Sequence, residues 1–394
     1  MIKRIEIENY KSIDKLDFEV GRFNVFIGEN GCGKTNILEA IAFASSYRDM
    51  ENGLLSLKGV RITEPQFFRN GFDQENLLKD IRIVLFGKDD TFIDFSFGNT
   101  NEPYPKWHCN TKIKEQNASK SLNINDILEK YEKYRKNTNG DELIDINEWV
   151  KNLGLQDGID NFSAFTFGVE IVNIPILNYL LYAPENYFLR NYNIDTPYTQ
   201  PLGNKGEGLL KLIKVIKQEK PEQYKEIIEY LHLIDWFSDV EISEDSISGT
   251  EFRLADIYLE EGIGGFDIRN ANEGFFLLLF YVTLFVSDYT PSFFAIDNID
   301  TALNPKLCTK LIEIFAQLSK KHNKQVLITT HNPSILDGIN LNDPEQRLFA
   351  VSRNKVGYTR VSRIEKKPPL NGEKSLKLSE QFLRGYIGGI PKNF

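Results

Sequence analysis

Cysteine is scarce in this chain: Cys32, Cys109 and Cys308 are the only three in 394 residues, with no Cys-x-x-Cys pair and no Cys/His cluster. That spacing argues against a disulfide scaffold or a zinc site and fits a reducing compartment. An excess of positive charge is lacking too, since 47 Lys and Arg face 56 Asp and Glu for a net charge of -9. This argues against a generally basic nucleic-acid coat, although a local basic patch stays open. Long apolar runs are also missing. The longest, Phe275 to Val286, is broken by Thr283 and is too short to span a bilayer, so it reads as a helix buried in protein. Met1 to Glu8 alternates apolar and polar residues like a strand and lacks the apolar core of a signal peptide. The expectation is a cytoplasmic protein with no membrane contact.

Hydrophobic content of 41% and charged content of 26% are those of a soluble globular protein rather than a disordered one. The length exceeds one ordinary core, so a main domain with a second lobe or large insertion is expected.

Residues Gly28-Glu29-Asn30-Gly31-Cys32-Gly33-Lys34-Thr35 fit the GxxxxGK[ST] phosphate-binding pattern. The apolar run Phe23 to Ile27 before it reads as a buried strand, and Asn36 to Ile41 after it as a helix. Strand, glycine loop and helix N-terminus make an anion cradle, because glycines let backbone N–H groups turn inward and the helix dipole adds positive charge. In such a cradle Lys34 would meet the β- and γ-phosphates of a nucleotide and Thr35 would ligate magnesium.

The pattern elsewhere is that of a mixed α/β chain. Asp80 to Phe86 and Thr91 to Phe97 suggest a β-hairpin, and strand signal returns at Ala164 to Val172 and Ile176 to Tyr182. From about Asn99 to Asn161 the chain is Lys-, Asn- and Glu-rich with helical patterning near Ile124 to Arg135 and Leu143 to Leu153, which suggests an inserted helical lobe. Amphipathic helices are expected at Glu207 to Ile216 and Pro221 to Leu231, then a strand pair at Val240 to Ile247 and Glu251 to Leu259, then the glycine-rich Glu261 to Gly265. The expected division is an N-terminal half of the head at 1–98, an insertion at 99–240 and a C-terminal half at 241–394.

Ser292 to Asp297 is an apolar strand ending in a carboxylate, the pattern of a Walker B strand. Lying beside the phosphate-loop strand, it would bring Asp297 to the magnesium. Gln325 to Thr330 is another apolar strand, and His331 stands just past its carboxyl end, within reach of a γ-phosphate or its attacking water. Asn272-Glu273-Gly274 opens the long apolar helix and reads as an anion site or simply an N-cap.

The order of these motifs resembles the ABC-type ATPases of the SMC, RecF and OLD group, particularly the compact AAA-family ATP-binding proteins of bacterial anti-phage and abortive-infection systems. The likeness covers Ile5 to Ile13 with its Asn9-Tyr10-Lys11-Ser12, the phosphate loop, Asn272 to Gly274 as signature loop, Asp297 to Pro305 as Walker B and D-loop, and Thr329 to Pro333 as histidine switch. It implies a parallel or mixed sheet flanked by helices, an antiparallel β subdomain, and ATP with Mg2+. It also implies a homodimer or larger homo-oligomer, in which one copy's signature loop covers the nucleotide on the other's phosphate loop.

Two positions depart from that group. Asn298 stands where a glutamate normally polarises water, and an amide cannot accept the proton, so turnover should be slow unless Asp300 or His331 compensates. Asn272 replaces the signature serine but keeps a hydrogen-bond donor. No sustained heptads suggest a coiled-coil arm, and the stretch after His331 is short for a Toprim nuclease and has no DxD pair. Any nuclease activity is therefore expected from a separate effector chain, with this one as sensor or scaffold in phage defence.

The alternative is a RecF-like repair ATPase that binds DNA directly. It would use Arg353, Lys355, Arg360, Arg363, Lys366 and Lys367, or Lys112, Lys114, Lys120, Lys130, Lys133, Arg135 and Lys136 of the insertion. Interleaved acids in the insertion, and the lack of an aromatic stacking pattern in the tail, weigh toward solvated faces. A transporter's nucleotide-binding subunit fits less well. The apolar end, Leu378 to Phe394, is expected to pack on its own domain or dock on a partner; Gln66 and Gln74 are candidates for the glutamine loop.

Overall fold

The computed structural model describes residues 1–46, 68–88, 91–99, 107–114, 122–123, 178–191, 201–242, 252–260, 265–366 and 376–389. The phosphate-loop strand β3 (Phe23–Ile27) is buried at all five positions, as an apolar run covered on both faces must be. It lies inside a six-stranded sheet with β8 (Leu180–Tyr182), β12 (Phe293–Ile296), β13 (Gln325–Thr330), β14 (Gln346–Arg353) and β15 (Thr359–Ile364). The order is β15-β14-β3-β13-β12-β8, parallel throughout except for the antiparallel edge strand β15.

The Walker B strand is therefore not beside the phosphate-loop strand as the sequence reading had it. β13 is inserted between them, pairing with β3 through Val326↔Phe23 to Thr330↔Ile27 and with β12 through Phe293↔Gln325 to Ile296↔Ile328. Its six buried residues leave it no place but the centre of the sheet.

A second sheet is antiparallel, in the order β2-β1-β4-β5-β6-β7. Its members are β1 (Arg4–Tyr10), β2 (Ile13–Glu19), β4 (Ile81–Phe86), β5 (Phe92–Asn99), β6 (Trp107–Lys114) and β7 (Leu122–Asn123). The expected hairpin is present as β4 and β5, paired Ile81↔Phe97 to Phe86↔Phe92. β6 and β7 extend this sheet past residue 99, where the sequence reading began a helical lobe; alternation at Cys109 and Thr111 buries one face and exposes His108, Asn110 and Lys112. The helical patterns at 124–135 and 143–153, the strand signal at 164–172 and the glycines at 262 and 264 lie outside the described residues.

Helix α1 (Lys34–Ser45) runs between the two sheets, and Ile37 to Ala44 are buried without a break. One apolar cluster joins Ile37, Ile41 and Phe43 to Ile5, Ile7 and Ile83 of the antiparallel sheet and to Phe26 and Leu327 of the parallel one. The opposite face of the parallel sheet is covered by α5 (Glu273–Val286) and α6 (Pro305–Lys321), with α3 (Leu209–Glu219) and α4 (Pro221–Leu231) outside them. α5 is buried from Phe275 to Val286, as expected of a helix apolar all round. Each such Phe or Leu contributes roughly 1.5–3 kcal/mol.

The short helix α2 (Asn186–Arg190) packs on α5, and a small sheet of β9 (Phe237–Ile242), β10 (Phe252–Asp256) and β11 (Phe266–Asp267) completes this side. The chain's described end, α7 (Leu378–Leu383), docks on its own domain. Ser379 donates from its N and Oγ to Asp337 (3.0 and 2.7 Å), and Phe382 joins the main core. Among the described residues no helix is long and apolar enough to cross a membrane.

Candidate nucleotide site

The phosphate loop follows β3 directly and needs two left-handed residues to turn its N–H groups inward. Gly31 and Gly33 supply them, at φ 74° and 106°. A Cβ on Gly33 would lie 2.1 Å from Thr359 Oγ1 and 2.9 Å from Ser12 Oγ, so this position takes no side chain. Gly28 is as confined, its absent Cβ replaced by the Val351 carbonyl of β14 at 2.2 Å.

Lys34 begins α1 and is only 4% exposed. Its Nζ donates to the Gly28 and Glu29 carbonyls, each at 2.9 Å, and lies 3.4 Å from His331 Nδ1. Burial pulls the Lys34 pKa below the ordinary lysine value, with Cys32, Asp297 and Asp300 opposing that shift. His331 is also lowered, first by burial and then by the Lys34 charge, which leaves the imidazole neutral near pH 7. The Cys32 thiol is buried and raised in the same way, hence un-ionised.

Thr35 Oγ1 donates to Asp297 at 3.0 Å (Oδ1) and 3.2 Å (Oδ2). Thr329 Oγ1, from the end of β13, donates to the same carboxylate at 2.5 Å and accepts from the Asn298 N–H at 2.9 Å. The inserted strand β13 thus bridges the gap left between the loop and the Walker B strand. Asp300 Oδ1 accepts from Thr330 Oγ1 at 2.6 Å, and its charge reaches both Lys34 and His331. Asn298 sits at φ 54°, a left-handed conformation that asparagine tolerates better than most residues. Lys34, Thr35, Asp297, Asn298, Asp300 and His331 therefore form one cluster at the carboxyl end of three adjacent strands.

Asn272, Glu273 and Gly274 stand apart from it. Asn272 Oδ1 caps α5 by accepting from Phe275 N at 2.8 Å, so the N-cap role is real and its Nδ2 is the group left for another acceptor. Gly274 faces the D-loop residues Ala302 and Leu303, and both loops line a groove of about 760 Å³ with Trp236, Lys306 and Lys310.

Sequence reading missed the support beneath the loop. Ser12 Oγ accepts from Asn36 Nδ2 at 2.7 Å and lies 2.7 Å from Thr359 Oγ1, which donates to the Cys32 carbonyl at 3.0 Å. Lys11 pairs with buried Glu39 of α1 at 2.5 Å. Ser12 stood within a motif; Thr359 carried no signal at all. Gln74 is exposed in a short 3-10 turn, Gln74–Leu78, and Gln66 lies outside the described residues.

A family model described as "AAA domain, putative AbiEii toxin, Type IV TA system" matches residues 23–337, from the phosphate-loop strand past the histidine. The chain belongs to this family. It is also similar to the DNA replication and repair protein RecF of Phocaeicola vulgatus, 37% identical over 73 residues that cover 18% of this chain and 19% of that protein. RecF of Clostridioides difficile is 29% identical over 157 residues, 35% of this chain and 41% of that one. The chain thus spans about a fifth of the length of the first curated relatives it matches. Among solved structures, an SMC head bound to the C-winged helix domain of ScpA superposes with a TM-score of 0.55 at 16% identity, covering 92% of this chain and 98% of that one. The fold is that of an ABC-type ATPase head of the SMC/RecF group. The chain is thus a member of this AAA-domain family whose fold is that of an SMC head.

Proposed function

We propose that this chain is an ATPase that closes around Mg-ATP as a homodimer or larger homo-oligomer, turns the nucleotide over slowly, and serves as sensor and scaffold for a separately encoded, nuclease-like effector in cytoplasmic anti-phage defence. The observation that carries the nucleotide reading is the convergence of Lys34, Thr35, Asp297 and His331 beside two left-handed glycines. The residues fit the ligand: a Cβ at Gly31 would meet open space, one at Gly33 would meet Thr359 and Ser12, and Thr35 with Asp297 is an all-oxygen donor set suited to magnesium.

Lys34 holds the phosphates through its ammonium, and Thr35 and Asp297 hold the metal. When bound, magnesium neutralises charge on the β- and γ-phosphates. Asn298 orients an attacking water without being able to take its proton. Asp300 and neutral His331, both within electrostatic reach of Lys34, serve as the proton acceptors, so slow turnover runs through them. Because Asn272 to Gly274 line a separate groove, a second copy is the natural source of a signature loop over the nucleotide. The defence setting is favoured by the family's description as a putative AbiEii toxin of a Type IV TA system.

The test is native mass with and without Mg-ATP for the wild type and Lys34→Ala. Assembly that needs both ATP and Lys34 is the expected result; an unchanged mass with nucleotide bound contradicts the clamp. The RecF matches favour a second reading, direct DNA binding through the basic residues of β14 and β15. Duplex binding that falls steeply with salt would support it.

A further inference from the structure

Beside the phosphate loop, two distant segments bring aromatic rings together that neither contains alone. Phe72 and Tyr358 have ring centroids 5.7 Å apart at 45°, and the Arg353 guanidinium lies 5.6 Å from the centre of the Phe72 ring. Phe72 is 48% exposed, a large value for a phenylalanine, and Val356 and Arg353 are exposed next to it. Gly357, at φ 100°, keeps this surface open: a Cβ there would meet the Phe72 ring at 3.4 Å.

Both segments are fixed to the phosphate loop. Tyr358 precedes Thr359, whose hydroxyl holds the Cys32 carbonyl and Ser12. On the other side, Phe72 N donates to Asn70 Oδ1 and Asn70 N to Asn9 Oδ1, while Lys11 N donates to the Phe68 carbonyl. The turn Asn9–Ser12 therefore carries the Phe72 loop against the same Ser12 that holds Asn36 of the phosphate-binding helix. Partial burial, then the charges of Asp14 and Asp73, raise the Tyr358 phenol.

We propose that the Phe72–Tyr358 pair, backed by Arg353, seats the purine ring of the nucleotide whose phosphates lie on Gly28–Thr35. This rests on the ATP reading above and extends it to the base. Aromatic faces attract any nucleobase by stacking, and Arg353 adds a cationic edge. The aromatic partner that the basic tail lacks in sequence is thus supplied from residue 72.

Calorimetric titration of the full chain with Mg-ATP and with inorganic tripolyphosphate separates base from phosphate. Wild type is expected to bind ATP more tightly than tripolyphosphate. Phe72→Ala and Tyr358→Ala should weaken ATP about tenfold or more and leave tripolyphosphate within about twofold, while Phe72→Trp retains ATP. Equal affinity of wild type for the two ligands, or variants that lose both equally, overturns the base seat and leaves the phosphate site standing. A wild type that binds neither ligand overturns the ATP reading itself. Loss of a labelled single-stranded oligonucleotide in Phe72→Ala, with ATP unchanged, overturns the seat in favour of nucleic acid.

Discussion

Thr35 donates a hydrogen bond to the Asp297 carboxylate at 3.0 Å across a sequence separation of 262 residues. Helix α1 and the end of β12 share no strand pairing, so this contact depends on β13 holding the two at a fixed distance, with Thr329 completing the bond to Asp297. A cation arriving between the two oxygen donors finds them already converged.

Replacing Asp297 by Asn keeps the shape and removes the charge proposed to hold a divalent ion. ATP affinity measured with Mg2+ should fall to about the value measured with EDTA, and added Mg2+ should no longer raise it. A variant whose affinity still rises with Mg2+ would show that the metal is held elsewhere.

Gly33→Ala places a methyl group against Thr359 and Ser12 and forces an L-residue to φ 106°. The left-handed conformation alone costs about 1–2 kcal/mol, with the clash in addition. Thermal melting should drop by several degrees and ATP binding should be lost, whereas Gly31→Ala, where a Cβ meets open space, should cost only the conformational part. Equal losses at the two positions would mean that the Thr359 contact does not shape the loop.

Lys324 tests the ground beneath α5. Its Nζ donates to the carbonyls of Ser287 (2.7 Å) and Thr290 (2.8 Å) and to Thr290 Oγ1 (2.9 Å), closing the end of α5 over β13. Lys324→Met removes this donor from the Thr290 carbonyl and leaves the Ser287 carbonyl only its bonds from Thr290 (Oγ1 at 2.8 Å), at a cost of about 1–3 kcal/mol by denaturant titration. Burial brings the Lys324 ammonium down to about 8. Above that pH the unfolded chain binds the proton more strongly than the folded one, so stability should rise between about pH 8 and the ordinary lysine value near 10.4. The difference between wild type and Lys324→Met should show that slope; identical pH profiles would contradict it.

The motifs that were legible were those in which chemistry and chain neighbourhood coincide. Gly28 to Thr35 carries its strand and helix with it, and Phe275 to Val286 is apolar on every face, so both appear where the sequence placed them. Sheet order was not legible, because nothing in Phe293 to Asp297 records that Gln325 to Thr330, later in the chain, will lie between it and β3. The Ser12–Thr359 bond, 347 residues apart, and the Phe72–Tyr358 ring pair are pure products of packing. β6 was hidden for a different reason: Trp107 to Lys114 is polar at every second position on an exposed face, and its composition read as part of a charged insertion.

On the proposed ATPase reading, Asp300 and His331 are expected to make separable contributions to turnover. Asp300→Asn should lower the hydrolysis rate by about tenfold or more with ATP affinity kept within a few-fold, because Asn preserves the hydrogen bond from Thr330. If Asp300→Asn weakens binding and leaves the rate per bound ATP intact, Asp300 shapes the loop and takes no proton.

The most direct measurement is steady-state hydrolysis at saturating Mg-ATP for wild type, Lys34→Ala and Asn298→Asp. Asp keeps the size and the left-handed tolerance of Asn298 while restoring a carboxylate. With a general base worth at least about a hundredfold and typical turnover near 10 s⁻¹, wild type should run at about 0.1 s⁻¹ or slower. Asn298→Asp should run markedly faster, and Lys34→Ala should not turn over at all. Wild-type turnover near 10 s⁻¹, unchanged in Asn298→Asp, would contradict the account of a site built to hold ATP rather than consume it.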